Sequence, residues 1–183
     1  MRIEPTTLAD ARLIHLERRG DERGWFARTM DARIFAEQGM DSEFVQQNAS
    51  TSARTGTLRG LHFQRPPHSE AKLVRCLRGR ILDVIVDLRR GSPTFLQHEG
   101  FELSAENGRM LYVPRGFAHG FQTLTEDVEV SYLVSAFYAP EAEGGLRWDD
   151  PRLGIAWPLP VSVISPKDAA WPPIPEGGPD YFP

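Results

Sequence analysis

Three stretches of this chain concentrate side chains that can move protons or grip a polar ligand. They are TLRGLHFQRPPHSEAKLVR from Thr57 to Arg75, VPRGFAHGFQTL from Val113 to Leu124, and the strand-like run around Tyr132. His62 carries an imidazole, which titrates near neutral pH and suits general-base work. Tyr132 carries a phenol of ordinary pKa about 10, which stays protonated until a proton is needed. Lys72 supplies a positive charge. Taken singly, each has a plainer reading. A lone histidine in a barrel is usually a satisfied core residue. Tyr132 shares its face with Val130 and Val134, as a core tyrosine would. Lys72 reads as a solvated strand end, and Asp168 as a loop or cap residue. A metal reading also stands, because His62, Glu70 and His119 could share an ion. First-row transition metals favour several imidazole or carboxylate ligands. Gln64 stands where an H-x-H pair would place one more imidazole.

The frame that must hold these residues reads as β-structure. In RILDVIVDL, Arg80 to Leu88, the residues Leu82, Val84, Val86 and Leu88 share one face, and Asp83, Ile85 and Asp87 the other. That period of two predicts a strand with one buried face. Similar runs are Phe44–Ala49, Leu58–Gln64, Lys72–Leu77, Phe95–Leu103, Met110–Val113, Phe117–Leu124 and Val128–Tyr138. Asn107-Gly108 is the sharpest turn signal and predicts a tight hairpin, since both residues tolerate positive φ. Short strands at close spacing predict a sandwich or barrel. Helix is scarce: Asp31 is a candidate cap for a short helix through Glu37, with Gly39 ending it. Beyond about Pro140 the chain turns loop-rich, and EGGPDYFP, residues 176–183, reads as a loose tail.

Composition narrows the function classes. The chain has 183 residues, 40% hydrophobic and 25% charged, which suits a single folded domain over 1–183 with a sizeable core. A net charge of -4 argues against a nucleic-acid or membrane-binding face, while leaving room for a local basic pocket. Cys76 is the sole cysteine, so no intrachain disulfide forms, which fits a reducing compartment. It sits in the strand-like KLVRCLRG and reads as core rather than nucleophile. The first twenty residues hold no apolar run long enough for a signal peptide or span, so a cytoplasmic location is expected. Asn48-Ala49-Ser50 forms a glycosylation sequon that matters only in a secreted chain.

Two resemblances sharpen the reading. The first two segments resemble the paired motifs of cupins, in which a histidine-bearing hairpin faces a Pro-x-Gly-x-x-His segment, here Pro114, Gly116 and His119. Then LRGLHFQ, AKLVRCLRG, DVIVDLRRGSPTF, ELSAENGRMLYVPRGFAHGFQTL and APEAEGGLRWDDPRLGIAWP, in that order, resemble the dTDP-4-dehydrorhamnose 3,5-epimerase family. The similarity runs from Asp21 to Asp168. Membership would imply an all-β, cupin-like double-stranded β-helix (jelly-roll) barrel with a few short helices. It would also imply a homodimer, no metal, no organic cofactor and a nucleotide-diphosphate sugar as substrate. The implied reaction removes a hydrogen next to a ketone and returns one on the opposite face. That needs a base, a stabiliser for the enolate oxygen and an acid across the ring. By resemblance His62 is the base, Asp168 its partner, Lys72 the stabiliser and Tyr132 the acid. A carboxylate beside an imidazole fixes its tautomer.

The resemblance also assigns the ligand. Arg23 and Arg59 match family positions that bind it, and a guanidinium suits phosphate through two parallel hydrogen bonds. Gln46, Gln47 and Asn48 match a polar stretch beside the ligand. His119, Glu143 and Lys167 match further contacts, and Tyr138 an aromatic position tied to the stereochemical outcome. In family dimers the N-terminal segment reaches the partner's barrel, so Arg23 is expected to serve the neighbouring site. Two positions depart. Arg28 replaces a family glutamate and reverses a charge facing the ligand; Ala49 replaces a common histidine. The carrier nucleotide (dTDP, CDP or another) and the number of carbons inverted are therefore left open. Two other classes compete: a metal-dependent cupin enzyme using His62, Glu70 and His119, and a non-catalytic nucleotide-sugar-binding relative. The second has no need of an acid–base set.

Overall fold

A computed structural model describes residues 1–182, and Pro183 lies outside the described residues. Two six-stranded sheets face each other. One has the order β1 (Arg2–Pro5), β2 (Arg12–His15), β10 (Arg109–Val113), β7 (Lys72–Arg78), β12 (Val128–Val134) and β5 (Gln46–Ser52). The other runs β13 (Glu143–Gly145), β6 (Thr57–Gln64), β11 (Phe117–Thr123), β8 (Arg80–Asp87) and β9 (His98–Ser104), with β14 (Val163–Ile164) parallel to β6. Every other named pairing is antiparallel. A separate hairpin joins β3 (Arg19–Asp21) to β4 (Gly24–Phe26). Consecutive strands β7 and β8, or β11 and β12, belong to different sheets, so the chain winds around a barrel in the jelly-roll manner.

Side-chain alternation builds two apolar layers. Inward rows supply Val74 and Cys76 from β7, Ile81 and Ile85 from β8, Phe117 and Phe121 from β11, and Val128 and Val130 from β12. Burial pushes the Cys76 thiol up to about 11, which suits an inert core residue. Outward rows of the second sheet supply Leu61, Phe63, Val84, Val86 and Leu88, and these are also covered. The expectation of one buried face on β8 is therefore corrected: Asp83, Ile85, Val86 and Asp87 are all sealed. The cover is the C-terminal segment, through Leu153, Ile174 and Phe182.

That cover also corrects the loose tail. Phe182 bridges to Arg89 and accepts from the Arg90 amide at 2.9 Å, while Tyr181 and Phe182 pack on the Phe63 ring. An apolar outer sheet face has to be covered, and the last residues do it. The turn at Asn107-Gly108 is also not a hairpin. Gly108 has φ +61, but β9 and β10 lie in different sheets. Asn107 Oδ1 instead accepts from the Ser104 and Arg109 amides and shapes the crossing. The short helix α1 (Ala32–Glu37) forms where Asp31 predicts it. The Asp31 carboxylate accepts from the Arg33 amide at 3.1 Å, and Gly39 follows with φ +69.

Candidate active site

His62 sits on β6, opposite His119 on β11 and Gly145 on β13. Its Nε2–H donates to Asp168 Oδ1 at 2.6 Å. Asp168 comes from the four-residue helix α2 (Pro166–Ala169). Ser165 caps that turn, accepting from the Asp168 amide at 3.0 Å, and Pro166 occupies the first helical position. Ser-Pro-Lys-Asp is thus a local helix start that aims one carboxylate. The second oxygen of Asp168 accepts from the Gly60 amide at 3.2 Å. Burial pushes the carboxyl of Asp168 up, but the hydrogen bonds from His62 and the Gly60 amide outweigh that and hold it low. An ionised carboxylate only accepts, so Nε2 carries the proton and Nδ1 keeps a free lone pair.

Glycine at position 60 lets β6 lie close against β11. Gly60 has φ +124, and a Cβ there would meet Gly120 Cα at 2.6 Å and the His119 carbonyl at 2.9 Å. Gly60→Ala is expected to destabilise the protein by about 1–3 kcal/mol through overpacking alone. A drop in urea midpoint at unchanged slope is the measurement, with weakened turnover as β6 moves off Asp168.

A cavity of about 440 Å³ opens over the pair, and Arg59, His62, Lys72, His119, Tyr132, Glu143, Lys167 and Asp168 all reach it. A second hollow of about 390 Å³ shares His62, Lys72, Tyr132 and Glu143 and adds Gln46, Asn48, Glu70 and Tyr138. Together they suit a ligand of nucleotide-sugar size. Tyr132 lies on β12 of one sheet and His62 on β6 of the other, so phenol and imidazole approach from opposite walls. Burial, then the charge of Glu70, raises the Tyr132 phenol above its usual range, against a smaller pull from Arg59. Lys72 is 7% exposed, not a solvated strand end, and its Nζ lies 3.1 Å from Glu70 Oε1.

At the mouth, Glu143 takes Lys167 Nζ at 2.6 Å and the Tyr138 hydroxyl at 3.0 Å. Burial pushes the Glu143 carboxyl up, but Lys167, Tyr138 and His62 overcome this and hold it low. His119 Nε2 pairs with Asp83 Oδ2 at 3.0 Å. Asp83 was missed from sequence, although a carboxylate in the row of Ile81 and Ile85 is a signal. The three residues of the metal reading take separate partners: His62 holds Asp168, His119 holds Asp83, and Glu70 holds Lys72 and Gln64. No three His, Cys, Asp or Glu side chains among the described residues are close enough to share an ion.

Three expected ligand residues stand elsewhere. Alternation along β5 turns Gln47 away from Gln46 and Asn48, and its amide donates to Ser131 Oγ on the outer face. Arg23 is exposed beside the β3–β4 turn, paired with Asp21. Arg28 is exposed and paired with Asp31. Neither arginine reaches the cavity of its own chain.

Fold and site together define a class: a cupin-like jelly-roll barrel with a histidine–aspartate pair, a lysine and a tyrosine turned into its cavity. Comparison with known proteins narrows it. The family model described as dTDP-4-dehydrorhamnose 3,5-epimerase matches residues 5–176, and the chain belongs to that family. A relative of that name from Sinorhizobium fredii is 47% identical over 173 residues, covering 94% of this chain and 89% of its own. The crystal structure of the Elizabethkingia anophelis enzyme superposes with a TM-score of 0.91 at 45% identity, covering 94% and 96% of the two chains. A Legionella pneumophila 3,5-epimerase solved in complex with dTDP-4-keto-L-rhamnose gives 0.87 at 42%, covering 93% and 90%.

Proposed function

We propose that this protein is a cofactor-independent isomerase that epimerises a nucleotide-linked 4-keto-6-deoxy sugar by moving protons next to the ketone. His62 Nδ1 takes the hydrogen of the carbon beside C4. The C–H electrons form the enolate, whose oxygen sits against the Lys72 ammonium. Tyr132 then breaks its O–H bond and forms a new C–H bond on the other ring face. Positioned acid–base groups of this kind contribute about 10²- to 10⁴-fold each. The observation that carries this reading is the placement of His62, backed by Asp168, and Tyr132 on opposite walls of one cavity.

The nucleotide diphosphate lies toward Arg59, His119 and Lys167, with Tyr138 and Glu143 at the mouth and Gln46 and Asn48 along β5. Its carrier is dTDP, as in the ligand of the Legionella relative; Arg28 is the position that would redirect it. The arrangement calls for a second copy of the chain. Trp25 is 50% and Phe26 67% exposed on the β3–β4 hairpin, an apolar face that a partner subunit would cover. The same docking would carry Arg23 and Arg28 to the neighbouring cavity, and equilibrium sedimentation tests for the dimer. No helix among the described residues is long and apolar enough to cross a membrane. We place the enzyme in the cytoplasm, where the lone thiol stays reduced.

The test is solvent deuterium exchange, followed by proton NMR, on chelator-treated protein with dTDP-, CDP- and UDP-linked 4-keto-6-deoxyhexoses. Deuterium should enter at C3, C5 or both with one carrier preferred. Binding without exchange on all three carriers would return the protein to a non-catalytic role. Exchange that disappears with the chelator would favour the metal reading.

A further inference from the structure

The carboxylate of Glu70 has no part in the proton transfers above, yet it stands among the groups that perform them. It lines the cavity with His62, Lys72, Tyr132 and Glu143. Its two oxygens are divided. Oε1 lies 3.1 Å from Lys72 Nζ, and Oε2 accepts from Gln64 Nε2 at 3.2 Å. Gln64 is itself buried and fixed: its amide nitrogen donates to the His68 carbonyl at 3.0 Å, and its oxygen accepts from the Ala139 amide at 2.7 Å. Gln64 lies two residues beyond His62 on β6. The strand that carries the base therefore also sets the carboxylate that holds the lysine.

We propose that Glu70 is a positioning residue for this reaction: it fixes the Lys72 ammonium over the enolate oxygen and keeps a negative charge beside Tyr132, so that the phenol is reprotonated after each transfer. The inference rests on the epimerase reading and deepens it.

The physical case has two parts. A buried ammonium needs a partner, because desolvation penalises an unpaired charge heavily. A neutral amide could orient Lys72 almost as well as a carboxylate. Only the carboxylate adds a charge that the phenol feels. The titratable groups around Tyr132 are Glu70 and Lys72 on and before β7, Arg59 and His62 on β6, the His119–Asp83 pair on β11 and β8, Glu143 on β13 with its partner Lys167, and Asp168 on α2. Of these, Glu70 is the one that pushes the phenol upward, while Arg59 pulls it down. After Tyr132 gives its proton to carbon it is a phenolate, negative and close to a second negative group. That repulsion makes it a stronger base, so it takes a proton from water and is ready for another transfer.

Glu70→Gln separates the two parts, because it keeps the shape and one accepting oxygen for Lys72 while removing the charge, at the loss of the bond from Gln64. We expect kcat to fall about tenfold with KM nearly unchanged, the pattern of an interaction used in the transition state. The alkaline limb of the pH–kcat profile should move down by about one unit, the scale a single nearby charge imposes. Glu70→Asp, which restores the charge, should return the limb toward its original place. A second readout needs no turnover: ultraviolet titration of the Tyr132 phenolate, as the difference between each protein and its Tyr132→Phe counterpart. In Glu70→Gln that transition should also move to lower pH. If limb and phenolate transition both stay put in folded Glu70→Gln, the proposal is overturned and Glu70 only neutralises Lys72. A wild-type protein without exchange would sink the epimerase reading, and the phenolate titration would still judge the electrostatic link.

Discussion

His62→Ala should lower both solvent exchange and epimerisation by about 10²- to 10⁴-fold, the range that a positioned base contributes. Both readouts fall together because nothing else near the ring is placed to start the reaction. Lys72 and Lys167 are committed to Glu70 and Glu143, and His119 to Asp83. The fold should persist. The imidazole lines the cavity and is no part of the apolar layers. Its removal leaves Asp168 with the Gly60 amide as a remaining donor. The cost of that weakened pairing is about 1–3 kcal/mol, visible as a lower melting temperature with a retained cooperative transition. A variant that is folded and still exchanges at more than a tenth of the wild-type rate would remove His62 as the base.

Tyr132→Phe should split the two readouts. The base, its Asp168 partner and Lys72 are untouched, so the carbon hydrogen is still removed and the enolate still forms. Without a donor on the far wall, the imidazolium exchanges its abstracted proton with solvent and returns a deuteron to the face the hydrogen left. Deuterium should therefore still enter the unchanged sugar, while inversion falls by about 10²-fold or more. The fold has little at stake, since the change deletes one hydroxyl and keeps the ring that packs against the barrel's inner apolar cluster. Proton NMR of the recovered nucleotide sugar reads label and configuration in one sample. Loss of exchange in step with inversion would mean that Tyr132 helps to form the enolate, and the roles of the two walls would have to be reassigned.

The contrast between these variants depends on a geometry that local sequence only half expresses. His62, Lys72 and Tyr132 stand out in the sequence as titratable groups in strand-like runs, and the family resemblance supplies their roles. The resemblance groups Gln47 with Gln46 and Asn48, and the pleat sends it to the opposite face. Arg23 and Arg28 lie on or just beyond the exposed β3–β4 hairpin, paired with Asp21 and Asp31, and neither lines the cavities around His62 in its own chain. Asp83 was passed over because β8 was read as having one buried face. Its burial follows from the barrel interior, where it shares the inward row with Ile81 and Ile85, while the C-terminal segment seals the other face of β8.

What the chain carries in its own order is local: strand period, the Asp31 cap and Gly39 stop of α1, and the residue types able to do acid–base chemistry. Those features depend on steric and hydrogen-bonding preferences within a few neighbouring residues, so they can be read directly. Tertiary structure decided the rest. It joined His62 to Asp168 across 106 positions, set Tyr132 on the opposing wall, and folded Phe182 back onto Phe63. Such partners are chosen by the need to cover every apolar face and pair every buried charge at once, a condition that belongs to the whole chain and to no segment of it.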